Sequence, residues 1–187
     1  MLFRACSRST CKGDFMKYEA KIPQGRIITS DPYFTLMRDA EGVGFVHCSD
    51  AVLVIPLTEA GQVLLAQERS PAFDREILTL VSGQVETGEP LEEAANRELQ
   101  EELGWRAQRL DYLGELHPFK YLTTRQFVFL ARELAPSKLP GDEKHTITAR
   151  PVSLKEFAPW CGQDKLHDAL TIAALCLAQR FLQEEMK

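Results

Sequence analysis

The sequence has no run of Lys or Arg longer than two residues, and its acidic side chains outnumber its basic ones by 27 to 22, a formal net charge of −5. Chains that hold DNA or RNA by neutralising phosphates carry a basic face, so no nucleic-acid partner is expected. A polybasic membrane patch is excluded on the same ground. Long apolar runs are also missing. The longest nearly unbroken ones, Ala51 to Leu57 and Ala169 to Ala178, fall well short of the roughly 20 residues that cross a bilayer. The five cysteines, Cys6, Cys11, Cys48, Cys161 and Cys176, are scattered, with no C-x-x-C pair and no histidine at metal spacing. That argues against a disulfide scaffold or a zinc site and for a reducing cytoplasm. Met1 to Phe15 hold Arg4, Arg8 and Lys12 without the apolar stretch of a secretory signal, so residues 1–16 are expected to be a disordered leader.

What remains has the composition of a globular chain, 44% hydrophobic and 26% charged. A single domain over residues 17–187 follows from the length. Between Tyr18 and Asp50, short extended pieces are broken by the turn signals Pro23-Gln24-Gly25, Asp31-Pro32 and Glu41-Gly42. Ala51 to Leu57 and Gln62 to Ala66, separated by Glu59-Ala60-Gly61, read as a buried hairpin. Further strands are expected over Ile77–Val81, Leu110–Leu116, Gln126–Glu133 and Thr146–Val152, with a short helix over Ser153–Trp160. From Asp164 to Glu185, Leu166, Leu170, Ala173, Ala174, Leu177, Phe181 and Leu182 recur at helical spacing, which predicts an amphipathic helix covering the core. Strands on both sides of a central helix, closed by a second helix, imply an α/β fold with a mixed sheet.

That central helix lies in the densest pattern of the chain, Gly83 to Trp105. Pro90 suits a first helical position, Glu92 and Glu93 favour the positive end, and Gly104 fits a left-handed cap. Leu91, Ala95, Leu99 and Leu103 form the apolar stripe. Its last turn runs against these rules. Glu98, Glu101 and Glu102 crowd one face at the negative end of the dipole, where each like-charged pair costs roughly 0.2–0.5 kcal/mol. Gly83 and Gly88 bracket a loop that permits close approach of backbone to a ligand, and Arg97 reaches Glu101 at four-residue spacing. Carboxylates aimed one way are what a hard divalent cation requires, and such a cation would let an acidic protein accept a polyphosphate.

The segment resembles the Nudix box, the loop–helix–loop signature of a family of pyrophosphate hydrolases, through Gly83, Glu89, Arg97, Glu98, Leu99, Glu101, Glu102, Gly104 and Trp105. Trp105 stands where an aliphatic residue is usual. The resemblance implies an α/β/α sandwich in which Glu98 and Glu102 bind Mg²⁺ (or Mn²⁺), Glu101 assists or binds through water, and the Ser82 carbonyl completes the shell. Arg97 and Glu89 would orient them. A box glutamate, Glu101 or Glu102, can serve as base in the family, but several sub-groups take it from a loop between late strands, here Leu139 to His145, which makes Glu143 the candidate base and Asp142 the second. The layout is similar to the ADP-ribose and ADP-sugar pyrophosphatase branch, where strands such as those of residues 17–49 build a homodimer. Thr79-Leu80-Val81-Ser82-Gly83 departs from that branch's Glu-Leu-Pro-Ala-Gly approach to the box.

The function so implied is divalent-metal-dependent hydrolysis of the diphosphate in ADP-ribose or an ADP-sugar, giving AMP and a sugar phosphate. Alternatives are dinucleoside polyphosphates, oxidised nucleotides or coenzyme diphosphates, or a catalytically silent nucleotide-binding module. Arg69 and Arg125 are candidate phosphate contacts, and Phe119 and Tyr121 candidates for base stacking.

Overall fold

The computed structural model describes residues 18, 20, 23–141, 146–162 and 165–187. The expected leader, Asp142 and the candidate base Glu143 lie outside them. Three strands come first, β1 (Arg26–Ser30), β2 (Thr35–Arg38) and β3 (Gly44–His47), pairing antiparallel in chain order. Asp31 closes the first turn by accepting from the amides of Tyr33 and Phe34, and Asp39 closes the second by accepting from Glu41 and Val43. This small sheet is tied to the rest through β3. The Val46 amide donates to the Tyr121 carbonyl, and Thr123 donates back to Val46.

The main body contains β4 (Ala51–Pro56), β5 (Gln62–Ser70), β6 (Arg75–Thr79), β7 (Val81–Gln84), helix α1 (Leu91–Leu103), β8 (Trp105–Leu116), β9 (Gln126–Pro136), β10 (Thr148–Ser153) and helix α2 (Ala169–Glu185). Four strands form a mixed sheet in the order β7-β4-β9-β8, in which β4 runs parallel to β9 and the other pairs are antiparallel. Every residue of β4 is buried, as expected for a β-branched strand with a neighbour on each side. A second sheet is ordered β10-β5-β6.

The expected hairpin of β4 with β5 is therefore not formed. The two strands lie in different sheets; the backbone between them is bridged at Leu57 and Val63, and otherwise they meet through side chains across the core. Both are apolar enough to be buried anywhere, so hydrophobicity alone could not choose their partners. Similarly, Ile77 to Val81 is not one strand. Its first part ends β6 in one sheet and its last residue opens β7 in the other, with Leu80 buried at the corner. The Leu80 amide donates to Thr171 Oγ1 at 3.0 Å, so the corner is fixed by α2. Between Ser153 and Trp160 a full helix is likewise absent, with only a 3₁₀ turn at Ala158–Trp160.

Alternation along β4 separates two cores. Val52 and Val54 point to α1 and pack with Leu91, Ala94, Ala95, Leu99, Phe127 and Phe129. Leu53 and Ile55 point the other way, onto Val63, Leu65, Leu80, Leu130, Ala174 and Leu175. The mixed sheet is thus the middle layer, with α1 on one face and α2 with the second sheet on the other. The α/β/α sandwich with a mixed sheet is present as expected.

Candidate active site

Helix α1 is fixed on three sides before its carboxylates come into play. Pro90, at φ −63° and ψ 140°, precedes the helix as its cap rather than serving as its first residue, and Gly104 ends it in the left-handed conformation at φ 74°. The apolar stripe is buried against β4 and β7. On another side, Asn96 Oδ1 accepts from the Ala107 amide at 2.8 Å and Gln100 Nε2 donates to Ser137 Oγ at 2.8 Å, joining the helix to β8 and to the chain after β9.

The face left over turns Glu98 and Glu102 toward β7. Glu98 is only 9% exposed. Its carboxylate occupies the space where a side chain on Gly83 would begin, since a Cβ there would lie 1.9 Å from Glu98 Cδ. One strand residue earlier, the Ser82 amide donates to Glu102 Oε1 at 3.1 Å.

Arg97 wires the group together. Its Nε and Nη2 donate to the two oxygens of Glu89 at 2.9 and 3.0 Å, and Nη2 also donates to the Gln84 carbonyl. Nη1 reaches Glu98 at 2.6 Å and Glu101 at 3.3 Å, so the four-residue contact exists but is the longest of the set. Burial alone would push the Glu89 carboxyl up. The hydrogen bonds and charge of Arg97, with the Glu86 amide, outweigh it and hold Glu89 below the usual carboxylate range. Arg97 is in turn raised above its ordinary value, chiefly by its hydrogen bonds to Glu89.

These side chains open into a cleft of about 580 Å³, lined by Ser82, Gly83, Gln84, Glu86, Arg97, Glu98 and Glu101, with Tyr33 from the N-terminal sheet and Pro140 and Gly141 at its rim. Tyr33 escaped the sequence reading because it sits in a turn some fifty residues before the box, and only the tertiary fold brings it there. None of Arg69, Phe119, Tyr121 and Arg125 lines this cleft. Arg69 pairs with Asp74 on the surface, and Phe119 and Tyr121 meet edge to face at 5.4 Å. Arg125 is held by Asp50, through Nε to Oδ2 at 2.8 Å and Nη2 to Oδ2 at 2.5 Å.

Among the described residues no three acidic, histidine or cysteine side chains converge into a ready-made metal cage. Arg97 bridges Glu98 and Glu101, supplying the positive charge that a cation would otherwise bring. The donor set nevertheless fits a hard divalent ion. It is made of carboxylates, and that of Glu98 is seated in a hollow that any side chain at Gly83 would fill.

A mixed sheet between helical layers, with a carboxylate-bearing helix closing on a glycine of the adjacent strand, defines the class as an α/β domain with an oxygen-donor site suited to a hard divalent cation. More particularly, residues 49–173 match the NUDIX domain, and the chain belongs to the Nudix family of pyrophosphohydrolases, for which a divalent metal is the general cofactor. It is 27% identical over 135 residues to the ADP compounds hydrolase NudE of Escherichia coli strain K12, covering 72% of each chain. It is 28% identical over 128 residues to the ADP-ribose pyrophosphatase of Bacillus subtilis strain 168, covering 67% of this chain and 69% of that one. A crystal structure of an ADP compounds hydrolase superposes with a TM-score of 0.73 at 24% identity, over 93% of this chain and 98% of the other, and so shares the fold.

Proposed function

We propose that the protein hydrolyses the diphosphate of ADP-ribose or an ADP-sugar, using Mg²⁺ or Mn²⁺. The observation that carries this reading is the carboxylate of Glu98 seated against Gly83, with Glu101 lining the same cleft, Glu102 bonded to the Ser82 amide beside it and Tyr33 at the rim. The names of the relatives in Escherichia coli and Bacillus subtilis favour an ADP compound over other diphosphates.

In this reading Glu98 and Glu102 hold the cation with the Ser82 carbonyl, and Glu101 binds directly or through water. The bound cation supplies charge to polarise the diphosphate and activate a water. The chain does the rest. Arg97 keeps the carboxylates in one orientation through Glu89 and the Gln84 carbonyl, and Tyr33 offers a face for the base or sugar. Glu143, two residues after Gly141 in the sequence, takes the proton of the attacking water, with Asp142 as second candidate. The water oxygen bonds to one phosphorus as the bridging P–O bond breaks, leaving AMP and a sugar phosphate.

A second copy of the chain completes the reading. The N-terminal sheet exposes Ile27, Ile28, Phe34 and Leu36, an apolar face suited to a homodimer. No helix among the described residues is long and apolar enough to cross a membrane.

Purified protein with Mg²⁺ would be offered ADP-ribose, ADP-glucose, NADH, diadenosine polyphosphates and 8-oxo-dGTP, and the products identified by mass spectrometry. AMP with a sugar phosphate is expected. Cleavage confined to another compound would overturn the ADP-ribose assignment, and unchanged turnover in Glu102→Gln would overturn the metal assignment.

A further inference from the structure

By its own sequence α1 ends poorly. Its last turn carries Glu101 and Glu102 and no basic residue, so carboxylates stand at the negative end of the dipole beside carbonyls with no partner in the helix. The chain leaving β9 supplies what the helix lacks. Lys138 Nζ donates to the carbonyls of Glu101 and Glu102, at 2.5 and 3.3 Å. On either side of it, the Ser137 amide donates to the Gly104 carbonyl at 2.9 Å and the Leu139 amide to that of Gln100 at 3.3 Å. The fit is close as well as polar. A Cβ on Gly104 would lie 3.4 Å from Lys138 Cδ, and one on Gly141 would lie 3.4 Å from the Glu101 carbonyl oxygen. Residues 137–141 therefore run flush along the end of the helix and deliver Pro140 and Gly141 to the cleft.

We propose that Lys138 is a positioning residue for the cation site. It pins the carbonyls of Glu101 and Glu102, so the turn that presents both carboxylates cannot fray, and it thereby sets the affinity for the divalent ion. The inference rests on the reading that these carboxylates hold the cation. Lys138 acts through residues it holds and touches no substrate. Its ammonium has two opposing consequences. As a bare charge near acids it weakens cation binding, whereas as a clamp it strengthens binding by keeping the ligands in place. The clamp is taken as the larger effect, since Nζ engages two helix-end carbonyls, and the sign of the change in Mn²⁺ affinity decides between the two.

The test is direct Mn²⁺ binding to the full chain, followed by the resonance of free Mn²⁺, together with the Mg²⁺ dependence of turnover. Lys138→Met is expected to weaken Mn²⁺ binding about two- to five-fold, the scale of an exposed helix-end charge interaction. Half-saturating Mg²⁺ should rise by the same factor, while kcat at saturating metal stays within about twofold. Lys138→Arg, which can still reach both carbonyls, should recover most of the loss. A cap of purely structural value would lower the melting temperature and leave the metal dependence where it was. Unchanged or tighter Mn²⁺ binding in Lys138→Met overturns the proposal. Glu102→Gln separates the two levels: if it binds Mn²⁺ like the parent the metal reading itself fails, and if it loses Mn²⁺ while Lys138→Met does not, only the clamp fails.

Discussion

The carboxylate of Glu98 lies where the side chain of residue 83 would be, so a Cβ on Gly83 would meet Glu98 Cδ at 1.9 Å. Gly83 has no positive φ, so its need for glycine is spatial and concerns this one carboxylate. The atoms that must yield are the far end of a flexible side chain, which separates function from folding. Gly83→Ala should keep the fold and its melting temperature within a few degrees, yet lose most of its turnover, about 100-fold or more for displacement of a preorganised group. Circular dichroism beside product formation checks both. Parent-like activity would mean that the position of Glu98 is immaterial to the chemistry.

Glu89 accepts from both Arg97 and the Glu86 amide, and these contacts hold its carboxyl below the usual range against the effect of burial. A group whose folded pKa is lowered gives stability that is present above its unfolded value, about 4.3, and lost as pH falls through the folded one. The melting temperature of Glu89→Gln should therefore lie below that of the parent at pH 6–7, and the gap should close below about pH 4. Melting curves at half-unit steps measure it. A gap that stays constant to pH 3 would assign the effect to packing rather than to the ion pair.

The box itself was legible from Gly83 to Trp105 because it is local: cap, stripe and carboxylate spacing are all set within one helix and its flanking loops. Partners far apart in the chain were not. Lys138 answers the acidic end of α1 from some thirty-five residues away, and Tyr33 reaches the cleft from a turn in another sheet. Neither has a sequence pattern of its own. The same limit explains the β4–β5 error. Two buried strands joined by a Gly turn look like a hairpin in sequence, but whether they pair depends on β7 and β9, whose claim on β4 is a matter of the whole sheet.

Arg125, a candidate phosphate contact, is paired with Asp50 outside the cleft. Asp50 lies at the entry to β4 and Arg125 at the entry to β9, so their ion pair joins the starts of two parallel strands. The side chains are 7% and 17% exposed, and Arg125 also lies over the ring of Phe127 at 5.1 Å. Asp50 further accepts from the Arg125 amide at 2.7 Å, which a side-chain change would leave in place. Removing one partner of a fully buried pair costs about 3–5 kcal/mol; Arg125 is only part-buried and the amide contact survives, so Arg125→Met should cost less, about 2 kcal/mol. Urea unfolding should show that loss, with KM for ADP-ribose within about twofold of the parent. The opposite pattern, intact stability with a KM raised tenfold or more, would return Arg125 to the substrate and require the Asp50 pair to open when the cleft is filled.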